Sequence, residues 1–500
     1  MHGIHKRFGA VAANADVELH VARGTVHGIV GENGAGKSTL MSILYGFYTA
    51  DSGSIEVFGK PVTIRNADDA ISVGIGMVHQ HFMLVDTLTA LENVMLGAEP
   101  HWLLQRADRQ TRSKLEALMR STGLHVKLDS LVADLPVGDR QRLEILKALY
   151  RGAKVLILDE PTAVLTPQET EHLFTVLHGL REQGTTILLI THKLKEVMRL
   201  CDQVTVMRAG RVVQDIAIRD ASIEGLAEAM VGRKVQMGRV EGGLRVPGTA
   251  LLRISNVTVR DKLKVMRLAD LSLDLYSGEI VGIAGVSGNG QSELLDVLSG
   301  LLAPTAGQMQ LGEQVFDAPQ WLDPLAAREA GVAHVPEDRH ARALVMDFPA
   351  WESAVLGYDG LQACSHGPWM RHGDMHKATL DMMERFDVRP RDPELLCSKF
   401  SGGNQQKLVL ARELGQVPKV LLVGQPTRGV DIGAIEFIYS QLRAMRDAGC
   451  AVLVVSSELD EILALSDRVI VMNQGRIAGE LAISECTEAG LGLLMTGGSQ

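Results

Sequence analysis

The apolar positions of this chain fall into short runs separated by longer periodic stretches. VLILDE at 155–160 and TTILLITH at 185–192 are rich in leucine and β-branched residues, as strands buried on both faces of a parallel sheet should be. HLFTVLHGLREQG at 172–184 lies between them and reads as a helix ending at Gly184. Strand, crossing helix and strand make a βαβ unit, so the predicted fold class is α/β. Earlier, the apolar run VHGIV leads into GENGAGKS at 31–38 and then into STLMSILYGF, a helical segment.

The same order of elements occurs twice. GTVHGIVG at 24–31 is matched by GEIVGIAG at 278–285, and GIGMVHQ at 74–80 by GVAHVPE at 331–337. KVLILDEPT at 154–162 pairs with KVLLVGQPT at 419–427, and THKLKEV at 191–197 with SSELDEI at 456–462. Asp16, Leu19 and Gly53 have their counterparts in Asp270, Leu273 and Gly307. Matches that keep this order, with small changes of offset, indicate duplication with short insertions. The expected domains are 1–235 and 248–500. The linker, 236–247, sits in a glycine-rich stretch without apolar periodicity. The second copy opens on ALLRI at 250–254, whereas the first has only Met1 to set against it. Either the opening edge strand of the first copy is short, or the true start lies upstream.

Composition narrows the function. The 500 residues are 46% hydrophobic and 22% charged, as in an ordinary globular protein. Aromatics at 4% argue against stacking on single-stranded bases, and a net charge of −10 leaves no chain-wide basic footprint for nucleic acid. The five cysteines form no CxxC pair and read as reduced thiols. No charge-free stretch reaches the length of about 20 residues that a spanning helix needs.

GENGAGKS is a complete G-x4-G-K-[ST] loop between a strand and a helix, the context that gives this motif its meaning. Its backbone N–H groups and the helix N-terminus favour phosphate. Lys37 supplies a mobile charge for the β and γ phosphates, and Ser38 a hydroxyl for Mg²⁺. Asp159 and Glu160 close the strand VLILDE at the end where α/β sheets bind ligands. Asp159 is expected to hold Mg²⁺ through water, and Glu160 to accept a proton from the attacking water or orient it. His192, after the next strand, reaches for the γ-phosphate. The triplet His79, Gln80, His81 lacks the ligands that would complete a transition-metal site; Gln80 fits better as a neighbour of the γ-phosphate and Mg²⁺.

The loop, Gln80, LPVGD at 135–139, LILDEPT and His192, in this order, resemble the nucleotide-binding domain of ABC ATPases, and SGGN at 401–404 resembles the ABC signature. The resemblance covers nearly the whole chain. It implies two tandem P-loop NTPase domains, each with a RecA-like α/β core, an antiparallel β subdomain and a helical subdomain. It also implies ATP and Mg²⁺ as cofactors. ATP-binding positions carried over are Gly31, Glu32, Asn33, Gly34, Ala35, Gly36, Lys37, Ser38 and Thr39, with Phe8 stacked on adenine. Ser401, Gly402, Gly403 and Asn404 would close on ATP from the other domain, since such domains pair head to tail. Catalysis falls to Glu160, His192, Lys37 and Gln80, and the metal to Ser38, Gln80 and Asp159.

The second copy departs from this pattern. Gln291 stands for Lys37, Gly424 for Asp159, Gln425 for Glu160, Ser457 for His192 and Glu337 for Gln80. No carboxylate is then left for the metal, an amide cannot act as the base, and Glu337 adds an anion that would repel phosphate. The signatures show the reverse. LPVGD puts Pro136, Val137 and Asp139 where SGGN has Ser401, Gly402 and Asn404. Sorted into composite sites, every defect falls in one. The expectation is one hydrolytic site and one structural or regulatory nucleotide site.

Two uses compete: the energising subunit of a membrane importer, or a soluble twin-cassette ATPase of the translation-factor or DNA-repair kind. The latter class usually keeps both sites intact and carries long charged linkers, inserted arms or zinc modules. The fused copies, VPEDR at 335–339 and GVDIGA at 429–434 resemble double-cassette subunits of simple-sugar and nucleoside uptake systems. The stretch 143–169 is similar to the nucleoside branch, with ribose- or galactose-type subunits the alternative. This resemblance implies two multi-span permease subunits, an extracytoplasmic solute-binding lipoprotein, and a peripheral place on the cytoplasmic face of the inner membrane. LTALENVMLG at 88–97 and FPAWESAVLG at 348–357 are candidates for docking to the permeases, or are plain core.

Overall fold

The computed structural model describes all residues except 10, 80–81, 98–103, 163–164, 166, 236–247, 287, 359–363, 367–368 and 496–500. The chain divides into two compact units, Met1–Val235 and Gln236–Gln500.

In the first unit a six-stranded sheet runs in the order Arg211–Ala217, Gln203–Arg208, Val26–Val30, Thr186–Ile190, Val155–Asp159, Ile75–Val78. All neighbours are parallel except the antiparallel hairpin of the first two. Leu156, Ile157 and Leu158 are completely buried, as expected of a strand covered on both faces. The crossing helix is Pro167–Glu182, and Gly184 follows it at φ 90°. A four-stranded antiparallel sheet, ordered Val11–Val17, His2–Phe8, Ser52–Val57, Lys60–Val62, packs over the loop helix Lys37–Tyr45. Ile4, Val17, Leu40, Met41, Ile157 and Ile190 share the core between them. Helices Ala90–Met95, Leu104–Thr122 and Val137–Tyr150 form the helical lobe.

His2–Phe8 is seven residues against eleven in its counterpart Ala250–Arg260, but it is not an edge. It pairs with Val11–Val17 on one side and Ser52–Val57 on the other, so its backbone groups are satisfied from both neighbours.

The second unit repeats the plan. Its six-stranded sheet runs Val332–Val335, Val420–Gly424, Ala451–Val455, Ile280–Ala284, Arg468–Asn473, Arg476–Ala482, and its antiparallel sheet Met266–Tyr276, Ala250–Arg260, Ala306–Leu311, Gln314–Asp317. Its helical lobe contains Ala350–Val355, His372–Arg385 and Gly402–Leu414, beside a small hairpin of Ser365–His366 and Trp369–Met370. Duplication extends to unusual backbone angles. Asp16 and Asp270 both take φ 56°, and Gly53 and Gly307 take 109° and 111°. Left-handed angles are costly for a residue with a Cβ, so their recurrence at paired positions marks inherited geometry rather than similar composition.

Candidate nucleotide sites

The first phosphate loop begins where Val26–Val30 leaves the sheet. Gly31 packs against the next strand: a Cβ there would meet Met207 O at 2.3 Å. Gly36, at φ 98°, caps Lys37–Tyr45, and a Cβ on it would meet Ala13 O at 2.3 Å. Among the described residues no side chain caps this helix and no acid lies in its first turn, so its N–H groups and positive end face the loop. Lys37 is buried and less mobile than expected, because Nζ donates to Gly31 O at 2.6 Å and Glu32 O at 3.0 Å. Those two carbonyls hold the ammonium over the loop.

Asp159 and Glu160 stand beside it. Burial, then the charge of Glu160, pushes the Asp159 carboxyl up to about 6, against the pull of Lys37 and a hydrogen bond from Ser38. Burial also acts to raise Glu160, but the hydrogen bond and charge of His192, with Lys37 and Lys193, outweigh it and hold this carboxyl below its usual range. His192 Nδ1 lies 2.9 Å from Glu160 Oε1. Glu160 takes φ 46°, a strained angle at the position expected to be catalytic. The hydroxyl of Ser38 with the carboxylate of Asp159 is a hard oxygen donor set in a crowded anionic corner, which fits Mg²⁺. Gln80 and His81 lie outside the described residues. His79 packs against Phe47, ring centroids 5.3 Å apart.

Phe8 is exposed and meets Tyr48 edge to face, with centroids 5.2 Å apart and Lys6 Nζ 5.6 Å from the Phe8 ring. Phe8 is legible in the sequence but Tyr48 is not, because Tyr48 lies in the turn after Lys37–Tyr45 and meets Phe8 only once the chain is folded.

The second site keeps the scaffold and changes the chemistry. Gly290 takes φ 100°, and Gln291 Nε2 donates to Val286 O at 3.1 Å, the counterpart of the Lys37 bond to Glu32 O. The backbone bond from Asn289 N–H to Val286 O, 3.2 Å, repeats that from Ala35 N–H to Glu32 O, 3.0 Å. Gln425 takes φ 47° and accepts from Ser457 Oγ at 3.1 Å, in the place of the Glu160–His192 pair. Glu337 departs from the sequence expectation. Its Oε2 accepts from Ser292 Oγ at 2.8 Å, so a carboxylate does stand on the loop hydroxyl. Gly424 has no side chain, and Glu337 folds into the space.

At the second signature, Ser401 caps Gly402–Leu414, and Asn404 Nδ2 donates to Ser401 Oγ at 2.9 Å. A Cβ on Gly402 would meet Gly429 O at 2.7 Å and the Arg339 guanidinium at 2.8 Å, and one on Gly403 the Asp431 carboxylate at 3.2 Å. Arg339, from VPEDR, donates to Arg428 O at 2.9 Å, which fastens this segment beside the signature helix. In the first copy Pro136 begins Val137–Tyr150 without a side-chain cap, and Asp139 is paired with Arg142 at 2.7 Å.

The family model described as ABC transporter matches residues 15–163 and 268–428, once over each copy. The chain belongs to the ABC transporter family. It is an ATPase subunit of that family, built as two tandem cassettes. Among ABC relatives, the guanosine import ATP-binding protein NupO of Bacillus subtilis is 44% identical over 100% of this chain and 97% of its own. The nucleoside import ATP-binding protein NupA of Lactococcus lactis subsp. cremoris is 42% identical over 100% and 98%. The ribose import ATP-binding protein RbsA of Chromobacterium violaceum is 37% identical over 100% and 97%. Among solved structures, the archaeal ribosome recycling factor aABCE1, in complex with stalk protein aP1, matches at 20% identity with a TM-score of 0.65, covering 98% of this chain and 92% of that one; it shares the ABC fold.

Proposed function

We propose that this chain hydrolyses ATP at one composite site to energise an importer for nucleosides. The observation that carries the catalytic assignment is the cluster of Glu160, His192, Asp159 and Lys37 around one phosphate loop, with Glu160 and His192 2.9 Å apart. The loop binds the phosphates through its N–H groups and Lys37. Glu160, kept ionised by its neighbours, accepts the proton of the attacking water, and His192 orients that carboxylate and contacts the γ-phosphate. Ser38, Asp159 and Gln80 would hold Mg²⁺, which would supply positive charge to offset that of the phosphates. Phe8 stacks on adenine. In the head-to-tail pairing that the family resemblance implies, the signature Ser401–Asn404 would complete this site and LPVGD would serve the degenerate loop. Concentration of every defect in one composite site supports that pairing.

Nucleoside import is supported by the relatives at 44% and 42% identity, a guanosine and a nucleoside import ATP-binding protein. Two multi-span permeases and an extracytoplasmic solute-binding lipoprotein complete the transporter, with this chain on the cytoplasmic face. No helix among the described residues is long and apolar enough to cross a membrane. The docking helices themselves are mostly core, with Leu91, Val94, Ala350 and Val355 buried. Docking therefore falls to the apolar residues that flank them. Val85, Leu96 and Leu131 are exposed in the first copy, and Val345, Leu356 and Leu396 in the second. Both flanks are tied to a signature helix: Lys147 Nζ donates to Met83 O at 2.8 Å, and Arg412 Nη1 to Ala343 O at 2.7 Å. These ties connect the nucleotide site to the docking surface.

The test is ATP turnover of the assembled transporter in lipid vesicles. Stimulation by a nucleoside-loaded binding protein, and loss of turnover in Glu160→Gln, are expected. Stimulation by the ribose-loaded protein alone would replace the nucleoside reading with the sugar one. Normal turnover in Glu160→Gln would overturn the catalytic assignment.

A further inference from the structure

The antiparallel sheet of the first cassette brings together three side chains that ATP chemistry leaves unused. The pairing of His2–Phe8 with Val11–Val17 continues past the strand end, where Leu19 N–H donates to Met1 O at 3.0 Å and Met1 N to Leu19 O at 2.9 Å. Met1, Val17 and Leu19 are buried. Side chains alternate along an extended chain, so Glu18 and His20 share the outer face, with His2 opposite them on the neighbouring strand. His2 Nδ1 lies 3.1 Å from Glu18 Oε2, and His20 Nε2 lies 3.8 Å from the same oxygen. The two imidazoles meet edge to face, with centroids 4.9 Å apart. Among the described residues, this is the one group in which at least three His, Cys, Asp or Glu ligand atoms all lie within 4.8 Å of one another.

The carboxylate is oriented by the backbone. Glu18 Oε1 accepts from Gly3 N–H at 2.7 Å, which leaves Oε2 to face the two rings. That bond, followed by the one with His2, holds the carboxyl below its usual range. The second cassette keeps this backbone and lacks the ligands. Ile4 pairs with Val17 as Val257 does with Leu271, and Gly3 and Asn256 take φ 55° and 54°. In this register Ser255, Ser272 and Asp274 stand for His2, Glu18 and His20. Asn256 N–H donates to Ser272 Oγ at 2.9 Å, as Gly3 N–H does to Glu18, and Asp274 is held by Arg253 at 2.8 Å. The same sheet therefore forms without an imidazole, so folding alone does not call for the two histidines.

Two imidazoles and a carboxylate suit zinc and its neighbours in the transition series, whereas Mg²⁺ takes oxygen ligands. Tetrahedral zinc sets neighbouring ligand atoms about 3.3 Å apart. The separations of 3.1 and 3.8 Å bracket that value, and rotation of the exposed His20 side chain closes the remainder. We propose that His2, Glu18 and His20 form a binding site for a divalent transition metal of the zinc class on the first cassette. Water takes the fourth position. The ion clasps the start of His2–Phe8, the strand that carries Phe8 at its other end, to the segment following Val11–Val17. The site does not depend on the assignment of the ATP residues.

The experiment is calorimetric titration of the purified full chain with Zn²⁺, without nucleotide and with Mg²⁺ in excess. The wild type is expected to bind one zinc ion that Mg²⁺ does not displace. Losing a ligand costs more than losing an outer-shell partner, itself worth about 10–100-fold, so His20→Asn and Glu18→Gln should each weaken binding at least about tenfold. His5, whose Nε2 lies 3.9 Å from Asp16 Oδ1 on the same sheet, is the control, and His5→Asn should leave the affinity unchanged. Zinc should raise the melting temperature of the wild type and not that of His20→Asn, while the two melt together without zinc. No zinc bound by the wild type, or its displacement by Mg²⁺, overturns the inference. Unchanged affinity in both His20→Asn and Glu18→Gln places the ion elsewhere and overturns it equally. An equal loss in His5→Asn shows diffuse binding to surface histidines and removes the site.

Discussion

Replacing Lys37 by glutamine is a perturbation whose product the chain already contains. Gln291 occupies the equivalent position in the second copy, with its amide on Val286 O at 3.1 Å where Lys37 reaches Glu32 O at 3.0 Å. The loop angles around it are the same, 98° at Gly36 and 100° at Gly290. Lys37→Gln should therefore fold with a stability change within about 1 kcal/mol, because a neutral donor replaces a charged one on the same carbonyl. The cost falls on the nucleotide. A unit charge about 4 Å from a phosphate is worth roughly 4 kcal/mol at an effective dielectric of about 20. Water and counterions recover part of that, and a residual of about 2.7 kcal/mol corresponds to a hundredfold fall in turnover. Phosphate release by the assembled transporter reads the turnover, and a urea melt of the purified chain reads the stability. Turnover within threefold of wild type would refute the role of Lys37. A melt shifted by several kcal/mol would refute the argument from Gln291. Gln291→Lys should leave turnover within twofold.

Asn404→Asp copies the degenerate signature into the intact one and should lower turnover at least tenfold. Asp139→Asn should change it less than twofold, and equal effects of the two would refute the pairing of signatures with loops. Arg412→Met leaves Glu413 buried without the guanidinium that donates to it at 2.8 Å. Breaking such a pair costs about 3–5 kcal/mol, so the second cassette should melt roughly 6–20 °C lower, and Arg412→Met with Glu413→Gln should recover much of the loss. Val85→Glu and Val345→Glu place a charge at exposed sites and should leave the melt unchanged while reducing co-purification with the permeases; undiminished co-purification of both would remove the docking assignment. Phe8→Ala should raise the KM for ATP with little change in kcat, measured by steady-state turnover.

Local chemistry made much of this protein legible without coordinates. A phosphate loop is a contiguous run whose glycines each answer a local demand, such as the close approach of Met207 O to Gly31. The buried strands announce themselves because both faces must be apolar, and the duplication survives as ordered pairs of residues. The substitutions Gln291, Gly424, Gln425 and Ser457 were equally readable, since each concerns what one side chain can do by itself. Tertiary structure decided what depends on the volume between strands. It made His2–Phe8 an interior strand, set Phe8 against Tyr48, and buried the helices whose periodicity was equally consistent with docking. It also carried Glu337 across Gly424 to Ser292. In one dimension a glycine in place of an acid is a loss. In three it is an opening that the next strand fills, because a side chain goes where its neighbours leave room.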